Sequence, residues 1–439
     1  MPPHLFPDNR QSMRQSLRFT FSALAAAITL VSFPTFATAE SGTWNQWRGP
    51  NRDAVVTEAS LPNSLADLEL AWEVPLGPSY SGPVVWESSV ITTETVDDQF
   101  ERLLAFDMAS GEKRWSVDFG GAMAVPFFAA ANGSWIRSTP AVAPGTAEAS
   151  PIVVALGMRD QIVAADPTSG AKLWERDLSE TLGSPRPAFG GVCSPLIDET
   201  GIYVQTGGPL VKLDRGDGSA VWQTDAAAGG GNMMSSGAFS SPVMATIQGV
   251  RQLVVQSRTD LYGVDPETGT RLWSQPIEAF RGMNILTPTV IGDRVFTAAH
   301  SGRSEMFAIS RAADGGWTVT QQWENPTQAY MSSPTVFGDR LFMHAKNERW
   351  VLLDADSGDT VWTGRPMGKY QSMIRSDDRL LSLDNTGTLR LVTLDSSATD
   401  APVQVLDERS VAEDSWAHLG IEAKNLLVRD LKALKVFRW

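Results

Sequence analysis

Four histidines and one cysteine are the scarce reactive side chains of this 439-residue chain. A metal centre needs several His, Cys or carboxylate ligands at short fixed spacings, and His300, His344 and His418 contain no such pair. Nucleophilic catalysis on an α/β scaffold would show a Gly-x-Ser-x-Gly elbow, which is absent. Cys193 sits in Gly190-Gly191-Val192-Cys193-Ser194-Pro195, where other repeats place small or apolar residues, so a buried structural thiol is expected. Gly229-Gly230-Gly231-Asn232 lacks the Gly-Lys-Ser/Thr ending of a phosphate loop and reads as a flexible connection. One cysteine cannot form an intrachain disulfide, and without Cys-x-x-Cys-His no c-type haem can be attached. Asp107, Asp166, Asp214, Asp265 and Asp354 could in principle ligate calcium. They recur once per repeat, however, and recurrence marks a turn role.

Those carboxylates belong to an eleven-residue unit, Ala-x-Asp-x-x-Thr/Ser-Gly-x-x-x-Trp. It reads Asp107, Gly111, Trp115 and then Asp166, Gly170, Trp174. Further copies are Asp214, Gly218, Trp222, then Asp265, Gly269, Trp273, then Asp354, Gly358, Trp362, with degenerate ones near Ser310 to Trp323 and Leu391 to Asp395. An alternating strand ends at Asp, whose carboxylate caps the next amides, and Gly closes the turn in the left-handed conformation. The Trp on the following strand can lie flat against the neighbouring repeat, which explains 15 Trp beside only 5 Tyr. A second register is a strand-opening proline, mostly after Ser or Thr: Pro83, Pro140, Pro195, Pro242, Pro288 and Pro334, at spacings of 57, 55, 47, 46 and 46. Weaker copies at Gln371 to Ile374 and Trp416 to Leu419 bring the count to eight.

Each repeat therefore reads as four short strands, and the expected fold is an all-β, eight-bladed propeller with four-stranded antiparallel blades over residues 70–439. Leu70 to Val74 has no earlier partner strand and Leu431 to Trp439 has none after it, so the two are expected to complete one blade together. With the proline-led strand innermost, the loops between blades and those between second and third strands share one face. That face gathers Phe127, Phe128, Trp135, Phe189, Met233, Met234, Tyr330 and Trp416, interleaved with Arg137, Arg281, His300 and Arg349. Aromatic and Met-rich loops suit a protein or peptide partner, and the basic groups suit an anion or an acidic peptide.

At these two registers the sequence resembles the pyrroloquinoline-quinone (PQQ) repeat propeller superfamily. One branch of it, the quinoprotein alcohol dehydrogenases, holds PQQ with calcium over the channel, beside a disulfide of adjacent cysteines that this chain cannot form. Its subunits are also longer. The other branch comprises non-catalytic exported propellers, BamB-like proteins among them. The stretch Trp44-Asn45-Gln46-Trp47-Arg48-Gly49-Pro50-Asn51-Arg52-Asp53 resembles a leader common on PQQ-repeat proteins. The resemblance implies a protein-binding or scaffolding module in envelope assembly, with no catalytic residue, no metal and no cofactor expected. A PQQ-dependent oxidoreductase or PQQ–calcium binder is the alternative.

Residues 1–39 read as a cleaved export signal, with Arg14 and Arg18 before an apolar run and Ala37-Thr38-Ala39 before Glu40; translation could start at Met1 or Met13. No Cys follows for a lipid anchor, so a periplasmic or secreted monomer without a membrane span is expected, with residues 40–69 as an N-terminal extended arm. The net charge is −14, and loss of the signal's three Arg and one Asp makes it −16, which excludes a nucleic-acid partner.

Overall fold

The computed structural model describes residues 44–57, 61–225, 237–395, 398 and 401–439. The signal segment, Gly229 to Asn232, Met233 and Met234 lie outside the described residues. Eight four-stranded antiparallel sheets are present among the described residues, seven of them meanders in chain order. Blade 1 runs Val84–Trp86, Ser89–Val96, Phe100–Asp107 and Lys113–Phe119. The last blade runs Gly420–Glu422, Asn425–Arg429 and Ala433–Arg438, and takes its outermost strand from Glu69–Pro75. Glu69 faces Arg438 and Pro75 faces Ala433, so the first strand seals the ring onto the last, as the sequence suggested. Closure leaves no inner sheet edge open.

The repeat unit does two jobs. Asp Oδ1 accepts the two amides that follow, at 2.9 and 2.8 Å for Asp107 and 3.0 and 2.7 Å for Asp166, which fixes the hairpin. Gly170 then takes φ +73°, and a Cβ there would stand 2.6 Å from the Trp115 ring of the preceding blade. Only glycine permits that approach. The Trp115 indole N–H donates to the Pro167 carbonyl at 3.1 Å, and the Trp72, Trp174, Trp222 and Trp323 indoles likewise reach carbonyls beside Gly111, Gly218, Gly269 and Gly358. Trp273 and Trp362 depart from this pattern. The blades after them carry the degenerate turns, so Trp273 donates to Gln252 of its own blade and the Trp362 ring lies over Gly364.

The Ser or Thr before each strand-opening proline has a role that the sequence did not disclose. Gly82 N–H donates to Thr139 Oγ1, Thr139 N–H to Ser194 Oγ, Ser194 N–H to Ser241 Oγ, Ser241 N–H to Thr287 Oγ1 and Thr287 N–H to Ser333 Oγ, all between 2.9 and 3.2 Å. At five successive junctions a side-chain hydroxyl thus satisfies an amide of the previous blade, whereas Gln371 N–H and Leu419 N–H donate back to Ser332 Oγ and Ser372 Oγ of the blade before. These buried amides precede the inner strands and would otherwise lack an acceptor.

The leader fills the ring. Val85 N–H donates to the Trp44 carbonyl, Val142 N–H to the Asn45 carbonyl, and Val55 forms a parallel bridge with Arg375, so one short segment pairs with the inner strands of three blades. Arg52 donates to the carbonyls of Ser194 and Pro195 at 2.8 Å, and Arg48 to that of Pro334. Farther along, Leu61, Leu65 and Leu68 are buried with Trp72 against the last blades.

Candidate binding site

On the face where blade-to-blade loops converge, a cavity of 420 Å³ opens above the leader. Its floor includes Trp47, flanked by the Arg48 and Arg52 guanidiniums at 5.4 and 5.3 Å from the ring and by His418 edge-on at 5.2 Å. Burial and the Arg48 charge push the His418 pKa down to about 3, so it is neutral and no acid–base group at physiological pH.

One wall is an aromatic ladder. Tyr80 stacks on Trp416 at 4.5 Å with planes 10° apart, Trp416 meets Tyr370 at 4.0 Å, Tyr370 meets Tyr330 at 5.5 Å, and Tyr330 meets His300 at 5.1 Å. The opposite wall is a phenylalanine arc, Phe128 to Phe189 at 6.1 Å and Phe189 to Phe239 at 5.9 Å. Phe127 packs edge-on against Phe128 at 5.6 Å and is 90% exposed, while Phe128 is 56% and Phe280 54% exposed. The loop carrying Phe127 to Asn132 stands on a small core of Val125, Ala129 and Met158. A soluble domain seldom presents such rings together without a partner.

Of the residues singled out from sequence, Phe128, Arg137, Phe189, Arg281, Tyr330 and Trp416 line the cavity. Phe127 stands at its rim, Trp135 packs edge-on behind Tyr80 at 5.4 Å, and His300 sits one ring behind the wall. Arg349 departs from the expectation. It opens the strand Arg349–Asp354 and donates to the Gly364 carbonyl at 2.7 Å, within its own blade and outside the cavity lining. Tyr80, Phe239, Phe280 and Tyr370 line the cavity but were not among the residues drawn from the sequence. A signal for three wall residues existed: Tyr80, Phe239 and Tyr330 each stand three or four residues ahead of a strand-opening proline.

The remaining reactive groups are spoken for. Cys193 is buried, accepts the Gln205 amide on Sγ at 3.2 Å, and burial raises its pKa to about 11. His344 Nε2 bonds the Gly368 carbonyl at 2.8 Å. Among the described residues no group of three His, Cys, Asp or Glu could hold a metal, and no helix is long and apolar enough to cross a membrane.

A sequence profile described as outer membrane protein assembly factor BamB matches residues 99–364. The crystal structure of BamB from Moraxella catarrhalis superposes with a TM-score of 0.61 at 13% identity, over 85% of this chain and 100% of that one. The computationally designed Ika8 protein superposes with a TM-score of 0.50 at 11% identity, over 83% and 98%. Quinohemoprotein alcohol dehydrogenase from Comamonas testosteroni gives 0.47 at 12%, over 91% and 81%. No curated protein sequence matches the chain.

Proposed function

The chain belongs to the PQQ-repeat β-propeller family described by the outer membrane protein assembly factor BamB, and on that premise we propose that it is an exported, non-catalytic propeller whose loop face binds a polypeptide partner during envelope assembly. The observation that carries this reading is the ring of exposed Phe127, Phe128 and Phe280 around an aromatic cavity. Rigid aromatic side chains on well-supported loops suit a binding hot spot, because little rotamer entropy is lost when they are covered. Export to the periplasm rests on the signal-like pattern of residues 1–39.

The converse reading, a PQQ–calcium dehydrogenase, finds poor support in the donor set. No Asp or Glu lines the cavity among the described residues, so a calcium ion placed there would lack carboxylate ligands. The residues present do not fit that pair. Titration of the purified protein with PQQ and calcium is expected to give no dye reduction; quinone-dependent dye reduction would overturn the non-catalytic reading.

Phe127→Ser combined with Phe128→Ser tests the binding face. Both side chains are largely in solvent, so the melting temperature is expected to stay within a degree or two of the parent's while the partner no longer co-purifies. Undiminished co-purification would contradict the proposal.

A further inference from the structure

The protein is strongly acidic, yet the only charged side chains lining the cavity, among the described residues, are Arg137, Arg258 and Arg281. Arg258 is only 9% exposed. Its Nη2 donates to the Arg281 carbonyl at 2.6 Å and its guanidinium lies 4.8 Å over the Phe239 ring, but Nη1 is buried and meets no protein acceptor. Arg137 repeats the arrangement on the other side. Its Nη2 donates to the Gly133 carbonyl at 2.6 Å, its guanidinium lies 5.9 Å from the Tyr80 ring, and its Nε is buried without an acceptor. Burial lowers the pKa of both, to about 10 for Arg137, and no carboxylate opposes the shift.

A buried guanidinium without a counter-ion costs far more than a solvated one, and cores normally exclude it. The buried Arg258 and the half-buried Arg137, each with a buried nitrogen that meets no acceptor, mark a place in the cavity kept ready for an anion. The aromatic ladder beside them offers flat faces at stacking distance. A small anion inside the cavity would leave the 90%-exposed Phe127 on the rim uncovered, whereas a chain continuing out of the mouth would bury it. We infer that the cavity takes an acidic, aromatic segment of a polypeptide, its carboxylates paired with Arg258 and Arg137 and an adjacent ring stacked on the wall formed by Tyr80, Trp416 and Tyr370. This inference rests on the binding-face reading and adds to it the chemistry of the partner.

The test is calorimetric titration of the full mature protein with three probes: the blocked tetrapeptide acetyl-Asp-Phe-Glu-Phe-amide, its Asn-Phe-Gln-Phe counterpart, and benzoate. The acidic peptide is expected to bind at least tenfold more tightly than either other probe, with the gap shrinking as salt is raised. Arg258→Met and Arg137→Met are expected to lose at least tenfold for the acidic peptide and little for the neutral one, while Arg258→Lys keeps part of the preference. Removal of an unpaired buried charge relieves the empty protein but leaves the Arg281 or Gly133 carbonyl without its donor, so each Met variant is expected to melt within a few degrees of the parent. Should a Met variant fail to fold, Arg258→Gln and Arg137→Gln, which keep an amide that can donate to the Arg281 and Gly133 carbonyls, supply the same comparison. Equal affinity for acidic and neutral peptides would overturn the acidic preference and leave the binding face standing. Benzoate binding as tightly as the acidic peptide would overturn the peptide as occupant. Binding of no probe would overturn the inference as well, and partner capture that still depended on Phe127 and Phe128 would show that the face itself survives.

Discussion

At the scale of single residues, the sequence assigned Phe128, Arg137, Phe189, Arg281, Tyr330 and Trp416 to one loop face, where they line one cavity, because topology alone decides which loops share a face. It placed Arg349 there too, and the structure uses that residue for a bond inside its own blade. Nothing in a loop's residue types tells whether a guanidinium meets a carbonyl or a cavity. Glu101 was equally silent. Both its carboxylate oxygens accept the Met158 amide at 3.2 Å across the interface of the first two blades, and burial raises its pKa to about 8. The folded state therefore favours the protonated form, so this group's contribution to stability is fully present below the ordinary carboxylate pKa and is lost as pH rises towards 8. Glu101→Gln is expected to melt well above the parent at pH 8.5 and close to it at pH 4; an unchanged pH dependence would contradict the assignment. The Cys193 thiol, buried and with its pKa raised, should resist iodoacetamide until the protein is unfolded, as intact-mass measurement can read.

At the scale of elements, the repeat was legible because it is local: Asp, Gly and Trp lie within eight positions of one another and report one hairpin. The hydroxyl relay was not, since Thr139 and Ser194 are 55 residues apart and each looks like an ordinary residue before proline. Trp273 and Trp362 mark the limit of such reading, because a docked Trp needs the next blade's glycine as well as its own position. Gly170→Ala separates the two demands on glycine. The left-handed φ and the clash with Trp115 act together there, so a loss of about 2–4 kcal/mol is expected in denaturant unfolding. Gly292 has φ +58° and open space around it, so Gly292→Ala is expected to lose only about 1 kcal/mol. Equal losses would show that ring contact contributes nothing.

At the scale of the whole molecule, ring closure by the first and last strands was readable because each strand lacked a partner in sequence. The leader's place was not readable. Its pairing with Val85, Val142 and Arg375 joins residues that only the closed ring brings together. Arg48→Met with Arg52→Met would strand the carbonyls of Pro334, Ser194 and Pro195, each left without its donor. One cooperative transition at a lower temperature is expected in calorimetry, since leader and blades share a core; a separate early transition would contradict that coupling.

The proposed function divides the surface into a loop face expected to bind the partner and an outer blade surface expected to stay free of it. Site-specific photo-crosslinking in the intact cell measures this division directly, with the crosslinking amino acid placed at Phe128 on the cavity rim and at the exposed Leu173 on an outer strand. Adducts from position 128 with none from position 173 are the expected result. Adducts from position 173 alone, or none from position 128 while the protein is folded, would contradict a partner on the loop face.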